Sequence, residues 1–135
     1  MPVTFEWDNA EQTVMRYDLG ANWTWEEVRL AMSESWMLIA QRDVVVDSLA
    51  TSQSVHLPPQ AMPHLKALTQ NRPSNAGMMV LVGPSTFIKT MFGIFTSVYS
   101  NLLQRDAQVV FAESLDEARD VIRHKQFERE RTPQH

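Results

Sequence analysis

Four histidines, His56, His64, His124 and His135, are the first residues in this chain whose type suggests chemistry, but they lie far apart. No two sit at i and i+4, the spacing that puts both imidazoles on one helical face to grip a metal. With no cysteine there is neither a thiolate nucleophile nor a sulfur-ligated metal site. No metal and no cofactor is expected. His56 stands out because Ser54 is close by in a polar loop that follows a strand, and open α/β sheets bind ligands at the carboxyl ends of their strands. The plainer alternative is a partly exposed loop histidine. A hydrolytic set of Ser54, His56 and Asp47 would need the fold to bring these side chains together, and no spacing in the chain requires that.

Phosphate and acyl chemistry lack their usual parts. Gly83-Pro84-Ser85-Thr86 sets backbone N–H groups at a helix start, which makes Ser85 and Thr86 anion-binding candidates, or simply helix caps. There is no glycine-rich loop with its lysine and no GxSxG elbow. Asp116, Glu117, Arg119, Asp120 and Arg123 read as a solvated helix face, with Asp116 beside Arg119 and Asp120 beside Arg123 at i,i+3. No catalytic residue is assigned.

The bulk properties narrow the setting. A chain of 135 residues suits one domain with its own core, and 44% hydrophobic with 21% charged residues is ordinary globular usage. A net charge of −4 with scattered Lys and Arg argues against nucleic acid as a partner. The first residues do not read as a signal peptide, and no apolar run reaches the roughly 18 residues of a membrane span, so a cytoplasmic location is expected.

The elements follow from periodicity. Val3 to Trp7 and Thr13 to Leu19 alternate around a turn beginning Asp8-Asn9, which predicts a β-hairpin. Thr24 and Glu27 form a capping box, with Trp23 stapling onto Val28. The helix they open carries Trp25, Val28, Met32, Trp36 and Ile39 as its core stripe and runs to about Gln41, with Leu30 and Met37 on the side away from that stripe. Val44 to Val46, closed by Asp47, predicts a buried strand, and Ser48 to His56 a polar loop. A helix after Pro58-Pro59, a strand over Met78 to Val82, a helix from about Phe87 to Leu103 and a strand over Ala107 to Phe111 come next. Ser114 and Glu117 cap a last helix that frays from His124 onward. The order is ββαβαβαβα: an α/β domain over residues 1–124, with a mostly parallel sheet and flanking helices, then a polar tail over 125–135.

That order, with Tyr17-Asp18-Leu19-Gly20, Trp23-Thr24-Trp25, Val46-Asp47 and the Gly83-Pro84 turn, resembles the STAS fold over roughly residues 3 to 124. The family includes bacterial anti-sigma factor antagonists, and the chain looks closest to its uncharacterised STAS-like relatives. In the antagonists a partner kinase phosphorylates a serine in an Asp-Ser-Ser-Gly motif between the third strand and the second helix. Here the comparable stretch, Ser52 to Pro59, departs from that motif. Register from Asp47 puts the phosphoacceptor position near His56 or Leu57, leaving Ser54 or Ser48 as candidates.

The helix over Phe87 to Leu103 spreads its apolar residues over an arc of roughly 180°, wider than one core-facing stripe needs. Its surplus edge, Ile88, Phe92, Tyr99 and Leu103, is the candidate interface, whose cover is a neighbouring helix, a second subunit in a homodimer, or an apolar ligand. The expectation is a non-enzymatic, STAS-like protein-interaction or regulatory module. The alternative is a domain that binds a small apolar or lipid-like ligand, since STAS-like domains are similar in outline to lipid-binding Sec14-type domains.

Overall fold

The computed structural model describes residues 3–53, 58–60, 63, 64, 67, 72–83, 90, 93 and 109–131. The alternating segments at the start form β1 (Val3–Trp7) and β2 (Val14–Leu19), paired antiparallel with Phe5 opposite Tyr17 and Trp7 opposite Met15. Asn9 shapes the turn: its side-chain oxygen accepts from the backbone N–H groups of Thr13 and Val14, at 3.0 and 3.2 Å. Gln12 takes a φ of 58° to complete it.

Helix α1 (Trp25–Ala40) starts where its capping box predicts. Thr24 Oγ1 accepts from the Glu27 N–H, and the Glu27 carboxylate accepts from the Thr24 N–H at 2.9 Å, so two of the helix's unpaired donors are satisfied. At its other end the distant Asn75 takes over. Its Nδ2 donates to the carbonyls of Ile39 and Val44, at 2.8 and 3.0 Å, tying the helix exit to the strand that follows.

That strand, β3, spans Val46–Ser52. This corrects the expected placement, because Val44 and Val45 are exposed and the supposedly polar loop begins as the central strand of the sheet. Asp47, Ser48 and Ser52 are buried in it, each with a specific partner or neighbour. β4 (Ala76–Val82) and β5 (Val109–Ala112) complete a five-stranded mixed sheet in the order β1-β2-β3-β4-β5, with β2 to β5 running parallel. Helix α2 (Leu115–Arg131) follows β5, and it continues through Arg131 rather than fraying after His124. Ser114 Oγ accepts from the Glu117 N–H, while the Glu117 carboxylate turns to the N–H of Glu113.

The described elements thus read ββαβββα, which differs from the expected ββαβαβαβα at the two connections around β4. Most of both connections lies outside the described residues. Within them Pro63, His64 and Ala67 are helical, as are Thr90 and Gly93. Alternation along the strands divides the core between two faces. On one, Met15, Tyr17, Ala50, Met79 and Leu81 meet Trp25, Ala31 and Ile39 of α1; on the other, Val14, Leu49, Val80 and Val82 meet Ala118 and Ile122 of α2. Among the described residues no helix is long and apolar enough to cross a membrane.

Candidate functional site

At the amino ends of the parallel strands the side chains that carry charge are bound to one another. Asp47, fully buried, accepts from Arg129 Nη1 and Nη2 at 2.8 and 2.7 Å, from Gln126 Nε2 at 3.0 Å and from the Met78 N–H at 2.8 Å. A two-pronged guanidinium and two further donors leave the carboxylate without a spare lone pair for a substrate. The sheet makes room for it by a bulge: between the pairs Val46–Ala76 and Ser48–Met79, β4 inserts both Gly77 and Met78 opposite Asp47. Gly77 must lack a side chain there, because a Cβ would collide with Asp47 Oδ1 and come within 2.8 Å of Val45 and 2.9 Å of Arg129 Nη2.

A second carboxylate, Asp8, joins the hairpin to α2. It accepts from Arg119 Nε and Nη2, both at 2.9 Å, and from Arg16 Nη1 at 3.0 Å. The hydrogen bond from Arg119 is the chief reason that the Asp8 carboxyl lies below its ordinary range, against a smaller opposing effect of burial. Arg119 therefore leaves the helical neighbour expected for it, Asp116, and reaches across to the hairpin. Arg123 does pair with Asp120, at 3.1 Å. Arg16 also binds Asp18 at 3.0 Å and Glu6, and Asp18 accepts from Thr51 Oγ1 at 2.9 Å.

Between the hairpin turn and α2 opens a cleft of about 210 Å³, lined by Asp8, Asn9, Val14, Arg119, Ile122, Arg123 and Gln126. It is smaller than the roughly 300 Å³ at which small-molecule sites begin. Its walls mix charged and amide side chains with the apolar Val14 and Ile122.

Two tryptophans lie beside the carboxyl end of β3. Trp23 and Trp25 meet edge to face, with ring centroids 4.9 Å apart, and both are buried. Trp23 Nε1 donates to Ser52 Oγ at 3.4 Å, and Trp25 Nε1 to the Pro58 carbonyl at 3.1 Å, so the start of α1 and the residue before its cap hold the end of β3 and Pro58. His64 stacks on Trp25, its ring 5.5 Å away and tilted by 9°. His56, the histidine singled out from the sequence, lies outside the described residues; His64 is brought against Trp25, and its spacing in the chain gave no sign of this. Asp47 lies near the amino end of β3, roughly 16 Å along the strand from Ser52 at its carboxyl end; Ser54 and His56, with which it was considered as a hydrolytic set, lie outside the described residues.

Ser54, His56, Ser85, Thr86 and the interface candidates Ile88, Phe92, Tyr99 and Leu103 all lie outside the described residues. Thr90 and Gly93, from the polar side of that same segment, are exposed. Leu30 and Met37, placed away from the core stripe of α1, are exposed as expected, with Leu38 beside them. Among the described residues no group of three or more His, Asp or Glu side chains is arranged to share a metal ion. Every buried side-chain nitrogen and oxygen among them has a hydrogen-bond partner.

The class this defines is an α/β protein with a mixed five-stranded sheet. Comparison of the chain with family models, with curated proteins and with solved structures found no match.

Proposed function

We propose that the chain is a non-enzymatic interaction module of the STAS-like type, which acts by binding another protein through the outer face of α1. The observation that carries this reading is the pair Leu30 and Met37, 52% and 66% exposed and seven residues apart, two helical turns on the same face. The opposite side of α1 fills the core with Trp25, Ala31, Ser35 and Ile39, so these two side chains lie outside its buried face. Single exposed apolar residues are commonplace, whereas a stacked pair with Leu38 at its flank is the kind of patch that binding surfaces use.

The stretch from Ser52 to Pro59, which the resemblance aligns with the antagonists' phosphoserine segment although it lacks their motif, would give such a module a place for regulation, with Ser54 within it. The carboxylates described above are held in structural ion pairs, which favours binding over acid–base chemistry as the way the domain works.

A photo-crosslinking amino acid at position 37, compared with one at exposed Glu130 on α2, tests the reading in cells that express the chain. A discrete protein adduct from position 37 alone, lost when Leu30→Asp is added, is expected. Equal or absent adducts from the two positions would sink it.

A further inference from the structure

β1 is an edge of the sheet, and its backbone shows which of its groups face outward. The Asp8 N–H donates to the Val14 carbonyl at 2.8 Å, and the register continues in steps of two through Glu6–Arg16 and Thr4–Asp18. In an antiparallel ladder, hydrogen-bonded pairs alternate with non-bonded ones. Thr4, Glu6 and Asp8 therefore turn their N–H and C=O groups toward β2, and Val3, Phe5 and Trp7 turn theirs to the open edge.

Edges are commonly guarded by lysine, proline, a bulge or a covering segment. β1 has no Lys or Pro, its pairing with β2 is regular, and its one charge, Glu6, is tied to Arg16. Among the described residues none hydrogen-bonds to its outward groups. The side chains of Val3, Phe5 and Trp7 share the α1 face and are apolar.

We infer that β1 is a pairing edge for a second copy of this chain, added antiparallel about a two-fold axis at Phe5 to make one ten-stranded sheet. Phe5 then pairs with the partner's Phe5, and Val3 with the partner's Trp7, so every outward N–H of one copy meets an outward carbonyl of the other. Charge selects this register. An axis at Glu6 keeps the hydrogen-bond phase but sets two carboxylates directly opposite each other, which is unfavourable. An axis at Thr4 leaves Trp7 beyond the ladder. With the axis at Phe5, Glu6 faces the partner's Thr4, a polar residue without charge. Because α1 packs most closely on β1, the two α1 helices come to the same face of the joined sheet. The pairing uses the backbone of β1 and not the outer face of α1, so it stands or falls separately from the function proposed above.

Sedimentation equilibrium of the full chain is expected to give twice its mass of 15.5 kDa. A Thr4→Lys variant, which offers Glu6 a counter-charge across the axis, should dimerise about ten-fold more tightly, and Thr4→Glu correspondingly more weakly, with circular dichroism unchanged. The chain has no cysteine, so Thr4→Cys and Glu6→Cys can be made singly and mixed. The mixture should form a disulfide-linked dimer on mild oxidation, and neither variant alone should do so comparably. A chain that stays monomeric up to millimolar concentration overturns the inference, as do Thr4 variants of equal affinity or a mixture that crosslinks no better than its components.

Discussion

The two described helices are attached to opposite faces of one sheet by different means. α1 buries Trp25, Ala31 and Ile39 and adds a neutral pin, in which the Tyr17 hydroxyl meets Ser35 Oγ at 2.5 Å and Ser35 donates on to the Met32 carbonyl at 3.0 Å. α2 buries only Ala118 and Ile122 and is otherwise strongly charged. It is held at Arg119 by Asp8 and at Arg129 by Asp47. A broad apolar seam fixes a helix largely by area, which tolerates small shifts. A narrow seam needs ion pairs, and these fix the helix at chosen points and demand that the sheet be shaped to receive them.

The sharpest way to break this contrast is at the point where the sheet was shaped. Gly77→Ala pushes a methyl group onto Asp47 Oδ1 and should cost about 3–5 kcal/mol, the range for disrupting a buried ion pair. Arg129→Leu should cost a similar amount by leaving Asp47 buried without its guanidinium. The double variant should cost much less than the sum, since both act on one interaction. Urea unfolding of the three variants measures this, and full additivity would mean that the bulge and the ion pair are independent.

On the other face, Ser35→Ala should cost about 1–3 kcal/mol, because the buried Tyr17 hydroxyl loses its partner on α1. Burial pushes the Tyr17 hydroxyl up to about 12, against the smaller opposing effects of its hydrogen bonds to Ser35 and Ser48. A group raised in this way stabilises the fold fully below its ordinary value near 10. The contribution fades as the pH climbs from there toward 12. Absorbance titration near 295 nm should therefore show one of the chain's two tyrosines ionising late, and not before the fold opens.

The smallest effect belongs to the outer ion pair of α2. Asp8 lies below its ordinary value of 3.8, so its stabilising contribution is present above about pH 4 and is lost as the pH falls through the lowered value. Asp8→Asn should remove this part of the acid sensitivity and leave the alkaline limb set by Tyr17 untouched. Urea midpoints measured across both limbs check the separation of the two faces.

Local signals in the chain announced the hairpin, both helix starts and the exposed placement of Leu30 and Met37. Each is written in residues a few positions apart: Asp8-Asn9, Thr24 with Glu27, Ser114 with Glu117. β3 was misplaced because a β-branched run, Val44 to Val46, is the usual mark of a buried strand, whereas the strand itself runs on through Asp47, Ser48, Thr51 and Ser52. Those polar residues tolerate the interior only through partners that periodicity cannot reveal, such as Arg129 for Asp47 and Trp23 for Ser52. The same holds for His64 on Trp25. The polar end of α2 looked like fraying for a related reason: Gln126 and Arg129 read as solvent residues until the carboxylate that they serve is known.

The ion pair between Asp47 and Arg129 joins positions 82 residues apart, which has a consequence for the chain as it is made. A ribosome adding about 5–20 residues per second needs roughly 4–16 s to pass from the first partner to the second. Throughout that interval the nascent chain carries a central strand whose carboxylate has no guanidinium to receive it, so closing the sheet is costly until α2 arrives. Folding of the domain is thereby delayed until all five described strands have been made, and a chain stalled before Arg129 would hold the hairpin and α1 beside a sheet that cannot bury Asp47 in its final form.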